Sequence, residues 1–446
     1  MKFSKHLLAT AVAASFMVPM TASATNGYFS IAYGAKSRGV AGASTALPQD
    51  TYAAAVNPAG MAQAAGTADF GILLFNPERE ATANFGGASS KANSELNGFI
   101  IPSGGYVRRI NDKVTAGITV YANGGLNTSY RGNTSPTLAG PNTGSLFGFP
   151  DRLGVDLAQL VFAPTLTYEI NKNHTIGISP LIAYQQFKAY GLQNFCSLKG
   201  DNSCNPITGA GIGTAAANEG LTNQGYDTSW GVGLRVGWLG TFDNVSIGAA
   251  YSTKIYADEF DKYDQLFAEQ GDFDIPANWS IGIAGKISPK VTLTADIQYI
   301  DYSDVDSIAN DGPSLTGANP RGNGQGVLGS NNGLGFGWES ITAVKIGAVY
   351  EHDQNFTYRF GLNHADSPIP DDQLAFNVLA TAVVEDHLTA GFTYRPNGKD
   401  DNEITFTYAH AFERSQSGAF PVAFGGGRTQ IQMVQNAFDF AYTWKF

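Results

Sequence analysis

Residue types that perform covalent chemistry are few and scattered in this 446-residue chain. Beyond the first two dozen residues its histidines are His174, His352, His364, His387 and His410. They fall in or near turn-like stretches, and no two are spaced as metal ligands. There is no G-x-S-x-G nucleophile motif. The acidic run Asp258, Glu259, Asp261 and Asp264 lacks the glycine and spacing of an EF-hand loop, so it reads as a solvated loop face. No metal, no cofactor and no catalytic activity is expected. The runner-up of a different class is a lipid hydrolase whose triad assembles only in space.

The chemistry on offer is instead noncovalent. Arg235, Lys345, Arg359 and Arg395 lie in or at the ends of alternating runs, on the side opposite the large apolar residues. A cation facing a polar interior could pair with a ligand carboxylate, or with acids on the same side such as Asp296 and Asp439. The two cysteines, Cys196 and Cys204, could close a disulfide loop worth about 2–3 kcal/mol in an exported chain, with two free thiols as the alternative.

The elements that would position these residues are strands. Val291-Thr292-Leu293-Thr294-Ala295-Asp296-Ile297-Gln298-Tyr299 alternates apolar and polar residues, the period that puts one set on each face of a strand. Runs of the same kind contain Val232 to Trp238, Val344 to Tyr350, Phe356 to Leu362 and Ile404 to Tyr408. About fourteen such strands are expected between residues 67 and 446. Short turn-forming links such as Asn171-Lys172-Asn173 alternate with long connections near 80–96, 129–156, 191–227, 256–276, 303–337, 367–386 and 412–429. That alternation gathers every long loop at one end, as in an outer-membrane barrel. A soluble sandwich has no reason to segregate its loops in this way.

Composition agrees. Charged residues are 15% of the chain, against 53 glycines, 28 phenylalanines and 20 tyrosines, and no apolar run is long enough for a spanning helix. Phe438, Phe440, Tyr442, Trp444 and Phe446 recur at every second position, an aromatic stripe suited to a lipid-facing strand. The terminal Phe446 resembles the signal read by the bacterial barrel-assembly machinery. At the other end, two lysines, an apolar stretch and Ala22-Ser23-Ala24 form an expected signal peptide over 1–24. Without Lys2 and Lys5 the chain has 25 basic and 38 acidic residues, which argues against nucleic acid as a partner.

Residues 25–66 do not alternate. They are rich in Gly and Ala and contain the compact turn Asn57-Pro58-Ala59-Gly60. Such a block preceding a barrel is expected to sit inside it, as a plug. In the third strand, Asn123-Gly124-Gly125 interrupts the pattern, as at a bulge or a local break in the wall, or as an early strand end. Apolar residues in the long loops, including Phe147 and Phe149, suit a surface that adsorbs an oily ligand. Within 256–276, Phe260, Tyr263 and Phe267 share one face of an expected short helix over 257–271.

The motifs Asn26-Gly27-Tyr28-Phe29, Tyr33-Gly34-Ala35-Lys36-Ser37-Arg38-Gly39, Ala46-Leu47-Pro48-Gln49-Asp50 and Asn57-Pro58-Ala59-Gly60-Met61 resemble the FadL-type family of outer-membrane transporters for hydrophobic compounds. The resemblance implies a barrel of fourteen strands, a hatch over 25–66 carrying Asn57, Pro58 and Ala59, and a kinked third strand at Gly124-Gly125 that opens the wall. It implies passive uptake of long-chain fatty acids, or of toluene-like aromatic hydrocarbons, across the outer membrane of a Gram-negative bacterium. The expected partners are the hydrophobic ligand, outer-membrane lipid and the assembly machinery, with the chain acting as a monomer. A general porin is the remaining alternative.

Overall fold

A computed structural model describes residues 26–85, 88–131, 152–201, 203, 211, 213–316, 326–398, 402–422 and 426–446. The expected signal peptide and the apolar loop residues Phe147 and Phe149 lie outside the described residues, as does Cys204.

Fourteen strands form the wall: β1 (Thr67–Phe85), β2 (Phe99–Arg109), β3 (Val114–Asn127), β4 (Arg152–Asn171), β5 (His174–Tyr190), β6 (Asp227–Phe242) and β7 (Val245–Ser252), followed by β8 (Asn278–Ser288), β9 (Val291–Ile300), β10 (Ile341–Glu351), β11 (Phe356–Ala365), β12 (Asp386–Tyr394), β13 (Glu403–Ala419) and β14 (Arg428–Lys445). Each pairs antiparallel with the next. The sheet closes where β1 meets β14, from Thr67 opposite Lys445 to Asn84 opposite Arg428. Closure leaves no continuous strand edge to face lipid, where unpaired backbone groups are not tolerated.

Side-chain exposure is inverted relative to a soluble protein. In β9 the outward Leu293 and Ile297 are 44% and 48% exposed, while the inward Thr294 and Asp296 are each 3% exposed. Outward Ile346, Phe360 and Leu362 are likewise bare, and inward Lys345 and Arg359 are buried. Such a surface is stable only against hydrocarbon. Two of the short links are Asx-type turns. Asn111 Oδ1 accepts from the Lys113 and Val114 N–H groups at 3.0 and 2.9 Å, and Asn171 Oδ1 does the same for Asn173 and His174.

The lumen is filled by residues 26–66, which form a five-residue helix (Ala35–Gly39), two 3-10 segments (Thr51–Ala55 and Pro58–Ala64) and irregular connections. Irregular backbone away from water needs partners for its N–H and C=O groups, and inward wall side chains provide them. Thr407, Thr294 and Thr119 donate to the carbonyls of Ala35, Ala43 and Thr51 at 2.8, 3.0 and 2.6 Å. The Asp296 and Asp69 carboxylates accept from the Thr45 and Thr51 N–H groups at 2.8 and 2.9 Å. Buried ion pairs join Lys36 to Glu403 at 2.5 Å and Arg38 to Asp439 at 3.0 Å.

The expected helix over 257–271 is replaced by a 3-10 turn at Asp261–Tyr263 and a single turn at Ala268–Gly271. Glu269 and Gln270 are left-handed there, with φ of 52° and 60°. The three aromatics still face one way, because Phe260, Tyr263 and Phe267 all pack on Phe187 of β5, with ring centroids 5.6, 4.8 and 4.7 Å away. Burial of three rings against one wall residue decides the local shape without helical periodicity.

Candidate functional site

Under the long loops lies an apolar cavity. Strand residues Leu157 and Phe187 line it with loop residues Phe195, Phe267, Phe273 and Phe336, and Ser307 is the one polar side chain among its described lining. The Trp338 Nε1–H at the loop base donates to Asn377 Oδ1 at 2.6 Å, so the polar atom of a fully buried indole is satisfied without entering the cavity.

From this cavity a run of aromatic contacts leads inward. Phe267 meets Phe273 at 4.9 Å between centroids, Phe273 meets Tyr28 at 6.2 Å, and Tyr28 meets Phe29 at 5.3 Å. Tyr302 fixes this N-terminal turn. Its hydroxyl donates to the Asn26 carbonyl at 2.6 Å and accepts from the Tyr28 and Phe29 N–H groups at 3.1 and 3.3 Å.

Phe29 stands opposite Gly124 in an antiparallel bridge. The Ser30 N–H donates to the Asn123 carbonyl at 3.1 Å, and the Gly125 N–H donates to the Tyr28 carbonyl at 3.3 Å. A β-carbon at Gly124 would lie 1.9 Å from the Tyr28 carbonyl oxygen, so this approach requires glycine. The β3–β4 register slips between Ala122 and Gly124, and residues 121–127 are buried on both faces.

On its other side β3 parts from β2. Their ladder runs from Arg109 opposite Thr115 to Gly104 opposite Val120. Farther along, among the described residues, Phe99–Ser103 pair with β1 alone. A space lies where the strands separate, lined by Leu73, Ile101, Ser103, Tyr121, Ala122 and the paired Arg38 and Asp439. Leu73, Phe75, Phe99, Ile101 and Ala122 also form a separate apolar cluster beside this window.

The cations marked in the sequence do not converge on the apolar cavity. Arg235 Nη1 donates to the Ala55 carbonyl at 2.7 Å and to the Tyr121 hydroxyl at 2.9 Å. Lys345 donates to the Ile31 carbonyl and to Gln298 at 2.9 and 2.8 Å. Arg359 is bonded to Gln49 and Thr393, both at 2.7 Å. Their partners are mostly the N-terminal segment, and the acids Asp296 and Asp439 serve Thr45 and Arg38 instead. Of the four, Arg395 meets a carboxylate directly, Glu403 at 2.7 Å.

Asn57 caps the second 3-10 segment, accepting from the Ala59 N–H at 3.1 Å, and its amide donates to the Thr45 and Trp238 carbonyls, each at 2.9 Å. A β-carbon at Gly237 would lie 2.1 Å from Asn57 Oδ1, and one at Gly177 would lie 2.4 Å from the Ala59 nitrogen. This turn therefore sits against β5 and β6, away from the β2–β3 window. Cys196 is buried on the 3-10 turn Gln193–Leu198, beside the cavity-lining Leu192 and Phe195. Sequence reasoning missed Phe273, Tyr302 and Trp338, and marked Tyr28 and Phe29 only as part of the motif Asn26-Gly27-Tyr28-Phe29. Their signal was present as large aromatics outside any alternating run, but it did not say which of them meet.

A closed fourteen-strand barrel, apolar outside, with a filled lumen and an apolar cavity under its loops, is an outer-membrane channel for hydrophobic molecules rather than an open pore. The chain belongs to the outer membrane protein transport protein family (OMPP1/FadL/TodX), whose family model matches residues 8–444. It is 21% identical to the long-chain fatty acid transport protein of Escherichia coli O6:H1 over 372 residues, 76% of each chain. Identity to the K12 protein of that description is 21% over 359 residues, 73% of each. Among solved structures, a Pseudomonas aeruginosa FadL homologue superposes with a TM-score of 0.66 at 16% identity, covering 94% of this chain and all of that one. The P. putida toluene transporter TodX gives 0.64 at 18% identity, covering 93% and 99%. The protein is thus an outer-membrane transporter of hydrophobic compounds in a Gram-negative bacterium.

Proposed function

We propose that the chain carries hydrophobic molecules passively from the loop cavity to the β2–β3 window and releases them sideways into the membrane. The observation that carries this reading is the run of aromatic contacts from the cavity through Phe273 and Tyr28 to the bridge between Phe29 and Gly124. Each CH2 removed from water gains about 0.8 kcal/mol, so an oily solute gains nothing from a wet axial pore. In this reading residues 25–66 are a hatch that blocks the axis. The turn Tyr28-Phe29-Ser30, hydrogen-bonded to the free edge of β3, is the movable part that closes the window. Cys196 and Cys204 would brace the loop that carries Phe195.

Within the class, the geometry favours an uncharged, hydrocarbon-like ligand such as a monoaromatic. The described cavity lining has no charged group, and a carboxylate buried there would lack a partner. Long-chain fatty acids are the second reading. It is favoured by Lys345 and Arg235, which line a small polar space with Gln298, Ser280 and Asp296, and by the curated relatives. The test is native mass spectrometry of co-purifying ligand, followed by uptake of labelled toluene and labelled oleate into cells lacking other transporters of this kind. Toluene uptake without oleate uptake supports the first reading, and the reverse supports the second. Uptake of neither, or turnover of acyl substrates by the purified barrel, would overturn both.

A further inference from the structure

The frame of the window holds an arginine that the route above does not use. Arg79 points inward from β1, is 5% exposed, and lies over Phe99 with its guanidinium carbon 5.8 Å from the ring centroid. Its two terminal nitrogens donate to carbonyls on opposite sides of the window: Leu96, on the chain leading into β2, and Asn127, at the end of β3. Among the described residues its Nε has no acceptor. Just beyond, Ser94 and Tyr130 form an isolated bridge, and the Glu95 N–H donates to the Ser129 carbonyl at 2.8 Å. The window therefore has a ladder at one end, between Gly104 and Val120, and this small bridge at the other. Arg79 spans it near the bridged end. On the β3 side, the Asn127 side chain donates to Asp156, which also accepts from the Tyr226 hydroxyl at 2.5 Å and pairs with Lys188 at 3.6 Å.

We propose that Arg79 is the strut that sets the width of the β2–β3 window, and so limits the girth of the molecules that pass through it. The inference rests on the lateral-release reading. A buried guanidinium whose partners are carbonyls is costly, and an aliphatic residue would pack at less cost beside Phe75 and Phe99. What the guanidinium adds is shape: a planar fork whose separate donors can hold two strands at a fixed spacing where no backbone ladder does. A lysine ammonium is a point donor on a flexible stem and cannot fix two jambs in one plane. Arg79 is a positioning residue, because its contacts are to the frame and not to the solute.

The test compares full-length wild type with Arg79→Met and Arg79→Lys in outer membranes. The quantity read is the ratio of initial uptake rates for tert-butylbenzene and toluene, with heat-modifiable migration on gels reporting barrel folding. Both variants should raise the bulky-to-slim ratio severalfold, Met more than Lys, while migration stays that of the folded barrel. An unchanged ratio in folded barrels overturns the strut. As a readout independent of transport, spin labels on the exposed Asn97 and Arg131 should show a longer or broader distance distribution in Arg79→Lys, and an unaltered distribution overturns the proposal. Window-filling Ala122→Trp separates the two readings. If it leaves toluene uptake intact, lateral release itself fails. If it blocks uptake while the Arg79 variants keep the wild-type ratio, only the strut fails.

Discussion

At the scale of single residues, the most consequential atom is the Tyr302 hydroxyl, which serves one carbonyl and two N–H groups of the N-terminal turn. Tyr302→Phe removes the acceptor of the buried Tyr28 N–H, a loss of about 1–3 kcal/mol, while the Phe29 N–H and the Asn26 carbonyl keep their mutual bond at 3.2 Å. The loss falls on the turn and spares the wall ladders. Amide exchange over residues 26–30 should accelerate while the melting temperature of the barrel barely moves; a uniform fall in stability would contradict a local tie. Asp272 makes a second prediction. Burial, then the neighbouring Asp274 and Glu269, push its carboxyl up to about 7, with Lys254 opposing. The folded form therefore holds a proton that the unfolded chain, with a value near ~3.9, has released. Its contribution is full below that unfolded value and is lost as pH rises through about 7. Because Phe273 lies between the two acids and lines the cavity, mild acid should slow amide exchange in this loop, and Asp272→Asn should abolish that dependence. An identical pH profile in the variant would refute the assignment.

At the scale of elements, the loop between β7 and β8 stores strain beside the cavity. Glu269 and Gln270 are consecutive left-handed residues, each costing about 1–2 kcal/mol in this conformation. The strain is held by Gln270, whose N–H and side-chain amide both donate to the Gly329 carbonyl of the facing loop, at 2.8 and 3.0 Å. Glu269 is exposed, so Glu269→Gly should relieve strain without removing packing. After the greater chain entropy of glycine is subtracted, about 0.5–1 kcal/mol remains. Slower exchange over 267–273 and slower ligand uptake are expected, and faster exchange would argue against stored strain. The same loop marks the limit of legibility. The wall was readable because a half-polar strand leaves a period of two, and the turns because Asn111 and Asn171 announce themselves. The spacing of Phe260, Tyr263 and Phe267 fits a helix as well as it fits an irregular loop closing on Phe187. Only the wall residue decides between them, and it lies more than seventy positions away. Arg79 was hidden for a similar reason. It sits on β1, and its partners Leu96, in a loop, and Asn127, past the interruption of β3, carry no mark in the sequence that would pair them with it.

At the scale of the whole molecule, two routes compete, one along the barrel axis and one through the wall. The axial route requires residues 35–66 to leave wall partners that include the buried pairs Lys36–Glu403 and Arg38–Asp439; breaking one such pair by losing a partner costs about 3–5 kcal/mol. The lateral route requires Tyr28 to Ser30 to release a few backbone bonds to β3, each worth about 0.5–1.5 kcal/mol net. A ligand burying several CH2 groups at about 0.8 kcal/mol each can offset the second cost but not the sum of the first. The two routes therefore respond to different lesions. Ala122→Trp fills the window and should cut uptake severalfold while planar-bilayer conductance stays closed. Lys36→Met removes the buried tie from the N-terminal segment to Glu403, loosens the filling of the lumen, and should produce measurable ion conductance with hydrocarbon uptake largely retained. If Ala122→Trp spared uptake and Lys36→Met abolished it, solute would be moving along the axis, and the small size of the N-terminal turn's attachment to β3 would have no bearing on transport.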